Sequence, residues 1–249
     1  MANKLWDKGF KEDERIDAFT VGNDRELDHE LAPYDIMGTM AHITMLESVG
    51  LLSKEDLDKL LPVLKELYSS ACKGELYVEE DVEDIHSQIE LMLTRRLGDV
   101  GKKVHTGRSR NDQVLVDLKL YARAEIENTV HKVESLFNTL QEASERYKDV
   151  LIPGYTHLQV AMPSSFGLWF GAYAESLCDD LSIMKAAWDV VNLNPLGSAA
   201  GYGSSAPLNR TMTTELLGFE DLDYNSVYAQ MTRGKMERAV AFAYSSVAE

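Results

Sequence analysis

One segment of the sequence combines positive charge with short hydrogen-bonding side chains. It occupies residues 101–113 and reads GKKVHTGRSRNDQ. Ser109 and Asn111 provide short polar groups, and Arg108 and Arg110 add positive charge to a chain with a formal net charge of −16. A helical pattern follows directly, and the free N–H groups of a helix N-terminus favour anions. The segment therefore predicts a carboxylate or phosphate site; a solvated, well-capped helix start is the alternative.

A second polar segment, residues 154–159, reads GYTHLQ and lies between two long helical patterns. It predicts a tight turn that presents Thr156, His157 and Gln159. Imidazole titrates near neutral pH, so a histidine at the junction of two helices suits acid–base chemistry. A structural role for a single histidine is the alternative interpretation.

The residues that precede these segments show helical signals with defined ends. Ser53 and Asp56 form a capping-box pattern, followed by leucines at helical spacing between residues 57 and 67. Pro62 lies inside this pattern and predicts a kink or a break. A second helix carries apolar residues on one face from Val82 to Leu97 and is predicted to stop at the glycine that follows.

Two much longer helices are predicted to position the polar segments. The first runs from near Asp112 to near Tyr147, a length of about 54 Å, and the second begins at Pro163, a favoured first position. Both carry a seam of mostly apolar residues, within 126–147 and 166–188. The steps alternate between four and three residues in the first and are three or four residues in the second. Seams of this length at coiled-coil spacing predict packing in a helical bundle, within the chain or between chains.

Strand signals are scarce, and the glycine-rich segment 196–203 is interpreted as a loop. The predicted fold class is all-α, with a small N-terminal helical domain over residues 1–105. Residues 106–249 are predicted to form the first part of a long-helix bundle domain. Residues 234–249 continue a helical face to the last residue without a cap, so the sequence is expected to be truncated.

The composition of the chain argues against several functional classes. With 249 residues and 45% apolar content, the chain can bury a substantial core. Its net charge disfavours binding to nucleic acid or to an anionic membrane. No apolar stretch is long enough to span a bilayer, and residues 1–13 lack a signal-peptide core. Cys72 and Cys178 match no metal or redox spacing, which predicts two small core residues in a reducing, cytoplasmic compartment.

Residues 105–113, HTGRSRNDQ, and residues 154–159, GYTHLQ, resemble the first two signature segments of the argininosuccinate lyases. These enzymes belong to the fumarase and aspartase superfamily, and the delta-crystallins are their relatives. Further matching segments are DIH at 84–86, GKK at 101–103, PLG at 195–197 and LGF at 217–219. The resemblance extends over nearly the whole chain, and the nine-residue string is specific to this family.

The resemblance implies a homotetramer whose active sites take segments from three subunits. It implies the elimination of fumarate from argininosuccinate, which yields arginine and needs no cofactor or metal. Fixed donors would stabilise the negative charge that develops beside a carboxylate. By motif, His157 is the acid–base residue. Also by motif, the substrate-binding residues are Ser109, Arg110, Asn111, Thr156 and Gln159.

The chain departs from the family pattern at three places. The third family signature, Gly-Ser-Ser-x-Met-Pro-x-Lys-x-Asn, carries the expected base, whereas residues 203–210 read GSSAPLNR and lack its methionine and lysine. The base is therefore expected downstream of residue 249, and this chain by itself is expected to be inactive. Asp24 lies where the family usually has a substrate-binding serine. Residues 231–234 keep only Arg233 of a family Ser-Asp-Arg-Asp segment.

Three other interpretations of the sequence stay open. Another fumarate-releasing lyase, such as an adenylosuccinate lyase, shares the general plan, and a non-catalytic structural relative of the delta-crystallin kind is the second. The third is a di-iron helical bundle, because Glu26 with His29 and Glu83 with His86 match the Glu-x-x-His ligand spacing.

Overall fold

The computed structural model describes residues 14–79 and 81–248. Its α-helices are α1 Glu14–Val21, α2 Asp24–Leu27, α3 Ala32–Ser48, α4 Lys54–Cys72, α5 Ile85–Leu97, α6 Asp99–Lys102, α7 Arg110–Arg146, α8 Phe166–Val191, α9 Arg210–Leu216, α10 Ser226–Met231 and α11 Arg233–Val247. Its strands are β1 Leu151–Thr156, β2 Gln159–Ser165, β3 Leu193–Asn194 and β4 Asp221–Leu222. The fold is all-α, as predicted, and the strands of the described residues form two small two-stranded sheets. None of the described helices is long and apolar enough to cross a membrane.

The described residues form two compact units. Unit 1 contains the residues up to Tyr121 together with Asn192–Arg233, and unit 2 contains Ala122–Val191 together with the residues from Gly234 onward. Helix α7, with 37 residues, contributes to both units. The domain boundary near His105 that the sequence suggests stays a prediction.

The core of unit 1 lies between α3, α4 and α5. Ile36, Leu60 and Leu93 come from these three helices in turn, and each side chain is fully buried. The leucines of α4 recur at helical spacing, so one stripe of that helix faces the core while charged residues cover the other side. This packed core supports the elements that carry the first polar segment.

The beginnings of α4 and α5 follow from capping residues. The Ser53 hydroxyl accepts a hydrogen bond from Asp56 N at 3.1 Å, as the capping-box pattern predicts. The Asp84 carboxylate caps α5 by accepting from Ser87 N at 2.7 Å. The predicted break at Pro62 is wrong, because α4 continues through it. Pro62 lies on the exposed face, where water can bond the carbonyl that a proline leaves without a donor.

A buried ion pair connects α7 to the parallel sheet β3–β4 within unit 1. Lys119 Nζ donates to the carbonyl oxygen of Leu193 at 2.9 Å and lies 2.5 Å from Asp223 Oδ2. The side chains of Lys119 and Asp223 are only 6% and 4% exposed, so the charges are removed from water together. The pair holds the segment that enters the glycine-rich loop against the first half of α7.

Unit 2 contains the hairpin β1–β2, the second half of α7, α8 and α11. Ile126, Val133 and Met184, which lie on the predicted seams, are buried. The start of α8 lies against the end of α7 at Gly167, whose carbonyl accepts from Ser144 Oγ at 2.7 Å. A Cβ atom at Gly167 would lie 2.6 Å from the Cα of Lys148, so this contact requires glycine.

The hairpin β1–β2 corrects the prediction that the second long helix begins at Pro163. Pro163 pairs with Pro153 across the hairpin, and α8 begins only at Phe166. His157 and Leu158 form a two-residue turn with φ of 50° and 62°. Positive φ at both residues gives the turn a twist that matches the flanking strands. The predicted tight turn is therefore present, but strands and not helices flank it.

The prediction that both cysteines are core residues is also wrong. Cys72 and Cys178 are free and exposed. Cys72 is the last residue of α4. Cys178 follows the buried Leu177 by one position on α8, and one helical step turns a side chain away from the buried face.

Candidate functional site

The N-terminus of α7 carries two of the predicted substrate-binding residues. Ser109 directly precedes the helix, and its hydroxyl oxygen accepts from the backbone N and from Nδ2 of Asn111, both at 3.2 Å. Ser109 is half-buried and Asn111 is exposed. The serine thus occupies a capping position, next to the free N–H groups that give a helix N-terminus its affinity for anions.

Arg110 is directed towards α5. Its guanidinium donates to Asp84 Oδ1 at 3.4 Å and to Ser87 Oγ at 3.2 Å, and its side chain is 22% exposed. These two contacts fix the first turn of α7 to the start of α5. The predicted role of Arg110 in placing a substrate stays a prediction.

Arg108 is the positive residue that lies deepest in this region, and it was not among the predicted site residues. It is 8% exposed and donates through Nη2 to Thr39 Oγ1 at 3.1 Å. Its Nε and Nη1 have no hydrogen-bond partner among the described residues. The sequence indicates Arg108 only through its place in the polar segment 101–113, because the burial of a charged side chain depends on long-range packing.

Asp112 joins the start of α7 to the glycine-rich loop. Its Oδ1 accepts from Ser109 N at 2.9 Å. Its Oδ2 accepts from Gly197 N at 2.9 Å and from Ala199 N at 3.0 Å. The side chain is fully buried, and burial raises the pKa of its carboxyl while these backbone N–H groups lower it.

A cavity of about 350 Å³ lies between the start of α7 and the glycine-rich loop. One wall is formed by residues 107–109 and the other by residues 199, 200 and 202–204. Its volume falls at the low end of the range for small-molecule sites. Ser204, which the sequence analysis set aside as a base, lines this cavity, with its Oγ accepting from Ala206 N at 3.1 Å. The residues of this cavity suit a small anion.

The second polar segment lies in unit 2. Thr156, His157 and Gln159 are all exposed at the tip of the hairpin β1–β2. The structure therefore brings Ser109 and Asn111 together in one unit, and Thr156, His157 and Gln159 together in the other.

Comparison with known proteins places the chain in a family. Residues 8–241 match the model of a family described as lyase. The chain belongs to this lyase family. It is 67% identical to the argininosuccinate lyase of Parabacteroides distasonis over 248 residues, which is the whole chain and 56% of that relative. It is 38% identical to the argininosuccinate lyase of Thermotoga neapolitana, over 99% of the chain and 62% of the relative. The lyase chain thus spans little more than half the length of such relatives.

Solved structures agree with this lyase assignment. A structure of EDDS lyase in complex with formate has 28% sequence identity and a TM-score of 0.76, over 95% of the chain and 46% of that structure. A structure of a fumarate lyase:delta crystallin from Brucella melitensis has 18% identity and a TM-score of 0.71, which shows the fold alone. The resemblance that the two polar segments indicated is therefore confirmed at the level of the family.

The lyase chain also buries a charged network between α3, α5 and α7. Asp35 Oδ2 lies 2.5 Å from His86 Nδ1 and accepts from Gln113 Nε2 at 2.6 Å, and Asp117 Oδ2 lies 3.3 Å from His86 Nδ1. Burial is the main cause of a strongly raised pKa at Asp117; the charge of Asp35 raises it further and that of Arg108 opposes the rise.

The ligand atoms of Asp35, His86 and Asp117 lie within 4.8 Å of one another, and no other such group of three occurs in residues 14–79 and 81–248. These atoms could hold a divalent cation, but Asp35 Oδ2 already contacts His86 Nδ1 and accepts a hydrogen bond from Gln113 Nε2. Of the residues that suggested a di-iron site, only His86 belongs to this group.

Two histidines of the lyase chain should make its stability sensitive to acid. Burial, and then the charge of Arg108, lowers the pKa of His42 to about 3 and that of His105 to about 4. His42 is 2% exposed, and its Nε2 lies 2.8 Å from the carbonyl oxygen of Thr106. Since the unfolded histidine binds a proton below pH 6.5, stability from these neutral histidines is complete above that pH. It is lost as the pH falls towards 3.

We expect His42→Gln to reduce this acid sensitivity. When the pH falls from about 7 to 4.5, keeping His42 neutral in the folded chain lowers the unfolding free energy by about 2.5 kcal/mol. Glutamine removes this loss and keeps a donor for the carbonyl of Thr106. Urea unfolding at the two pH values measures the difference. His131→Gln, at an exposed position on α7, is the control. An equal loss of stability in His42→Gln and the unmodified chain would contradict the prediction.

Proposed function

We propose that this chain is part of an argininosuccinate lyase, which splits argininosuccinate into arginine and fumarate. The observation that carries the proposal is 67% identity with an argininosuccinate lyase over the whole chain. The serine, the asparagine and the cavity at the start of α7 support it, because the substrate carries carboxylates.

In the proposed reaction, a base takes the proton from the carbon beside a carboxylate, and the C–H electron pair forms the C=C bond of fumarate. The guanidinium nitrogen leaves the neighbouring carbon with the C–N electron pair, as part of arginine. Negative charge moves into the carboxylate as the proton leaves. Ser109 Oγ, Asn111 Nδ2 and the N–H groups at the start of α7 are fixed donors, which stabilise such charge without having to reorganise. His157 acts in proton transfer. Thr156 holds a carboxylate, and Gln159 supports the pocket around the histidine.

We further propose that the protein works as a homotetramer in the cytoplasm. The family resemblance supports sites that take segments from three copies, so the start of α7 and the hairpin tip need not come from the same copy. Free, exposed cysteines at positions 72 and 178 suit a reducing compartment.

The test is fumarate release by the protein that contains this chain at the full length of its relatives. Fumarate has an ultraviolet absorbance, so turnover of argininosuccinate and of adenylosuccinate can be compared directly. We expect turnover of argininosuccinate.

We also expect Asn111→Ala to lower kcat by about 10²–10³, the usual loss for one donor to a developing oxyanion. Asn128→Ala, an exposed asparagine further along α7, is the matched control.

Two results would contradict the proposed function. Turnover of adenylosuccinate without turnover of argininosuccinate would favour the other superfamily reaction. Full-length protein that is folded but releases no fumarate from either substrate would favour a structural relative.

A further inference from the structure

We propose that Asp112 is a positioning residue that holds the glycine-rich loop, residues 197–203, as the second wall of the substrate cavity. The inference rests on the proposed function, because it concerns the site in which Ser109 and Asn111 would bind carboxylates. Asp112 itself is fully buried and is not part of the cavity lining. It acts through the backbone that it binds.

The two oxygens of Asp112 serve the two walls separately. Oδ1 binds the amide of Ser109 in the first wall, and Oδ2 binds the amides of Gly197 and Ala199 at the entrance to the second. One carboxylate therefore sets the distance between the walls.

The loop adopts a conformation that needs such support. Gly197, Gly201 and Gly203 have φ of 85°, 118° and 75°, which glycine tolerates, but Ala199 also has a positive φ of 51°. A left-handed conformation is sterically unfavourable for a residue with a Cβ atom, because the Cβ lies too close to the following carbonyl oxygen. The hydrogen bond from Ala199 N to Asp112 lies at the residue where this strain occurs.

The start of the loop has its own anchors, and within the loop Gly201 N and Gly203 N donate to the carbonyl oxygen of Ser198. Arg210 Nε donates to the carbonyl oxygen of Leu196 at 2.7 Å, and Asn194 Oδ1 accepts from Leu196 N at 3.0 Å. Beyond Leu196, Gln230 Nε2 donates to Ser198 Oγ at 2.8 Å. Loss of Asp112 should therefore loosen residues 197–203 while Leu196 stays in place.

The charge of Asp112 also argues for positioning and against binding. A carboxylate close behind the wall of an anion site repels the substrate, unless fixed donors neutralise it. Three backbone N–H groups point to Asp112, and it lies in the first turn of α7, where the helix dipole favours negative charge. The carboxylate oxygens of Asp112 therefore bond to the protein's own backbone and not to a ligand.

The first test is hydrogen exchange of the full-length protein, measured on the amides of Gly197 and Ala199. In the unmodified protein both amides should be protected, because each donates to a buried carboxylate. In Asp112→Ala, which removes all three hydrogen bonds, exchange at both should accelerate about tenfold or more. In Asp112→Asn, whose single amide oxygen can bind only one of the two walls, the acceleration should be smaller. Amides in the core helices α3–α5 should not change. Ser53→Ala, which removes a cap at the start of α4, is the control.

The second test is the kinetics of Asp112→Asn with argininosuccinate. A site whose wall is ordered for only a fraction of the time binds more weakly by that fraction. We expect KM to rise in Asp112→Asn, with a smaller change in kcat, and Asp112→Ala to show a larger rise. Both measurements are made on the same preparations.

Several outcomes would overturn the inference. Unprotected amides at Gly197 and Ala199 in the unmodified protein would do so without any variant. Unchanged exchange in Asp112→Ala, or acceleration spread evenly through unit 1, would leave Asp112 with only a general effect on stability. A full-length protein without lyase activity but with locally accelerated exchange would refute the proposed function, while the inference about the loop would survive.

Discussion

Replacing His157 by alanine in the full-length protein should lower kcat for argininosuccinate by about two to four orders of magnitude, the usual loss when acid–base assistance is removed. His157 is exposed at the tip of a hairpin, so its side chain has no part in the packed interior of unit 2. The loss should therefore appear in the rate and not in the stability. The measurements are fumarate release and urea unfolding of the same variant.

The matched control is His131→Ala, because His131 is an exposed histidine of the same unit whose side chain is 78% accessible. It should keep nearly full activity. An unaltered kcat in His157→Ala would contradict a catalytic role for His157 and favour a structural one. A variant that unfolds more readily would also weaken the assignment, since the positive φ at this position would then be the property that matters.

Replacing Lys119 by methionine should cost about 3–5 kcal/mol of unfolding free energy, because it leaves Asp223 buried without its partner. Both side chains are almost completely removed from water. The double variant Lys119→Met with Asp223→Leu should recover most of the loss, since the isolated charge is then gone as well. Urea unfolding of the two single variants and the double variant gives the coupling between the residues.

Lys54→Met is the control for this cycle. Lys54 pairs with Asp58 on the surface of α4, 3.0 Å apart and largely exposed. An exposed pair contributes little, so this variant should unfold almost as the unmodified chain does. A double variant no more stable than Lys119→Met would show that neither charge alone is the cause and that packing around β3–β4 decides the stability.

The sequence predicts those parts of the fold that depend on local chemistry. The cap of α4 is a short-range hydrogen bond, α5 ends at Gly98 as predicted, and the leucines of α4 define its buried face without knowledge of its neighbours. The hairpin β1–β2 has no such signal. Its turn is formed by His157 and Leu158 in place of the usual asparagine or glycine, and its strands contain two prolines.

The candidate site likewise contains some features that the sequence predicts and others that it does not. The polar string at the start of α7 and the histidine of the turn can be recognised as residue types in sequence. The burial of Arg108 and the contacts of Asp112 join residues separated by 69 to 87 positions. Pairings over such distances follow from tertiary packing, and one sequence alone does not contain them.

The two exposed cysteines give this chain a pair of reporter positions without engineering. Cys72 lies in unit 1 and Cys178 in unit 2, and the sequence has no other cysteine. A fluorescent donor and acceptor attached through maleimide chemistry would label each unit once per copy. Energy transfer, with mixed labelled and unlabelled copies to separate signals within a chain from those between chains, would then follow how substrate changes the distance between the units.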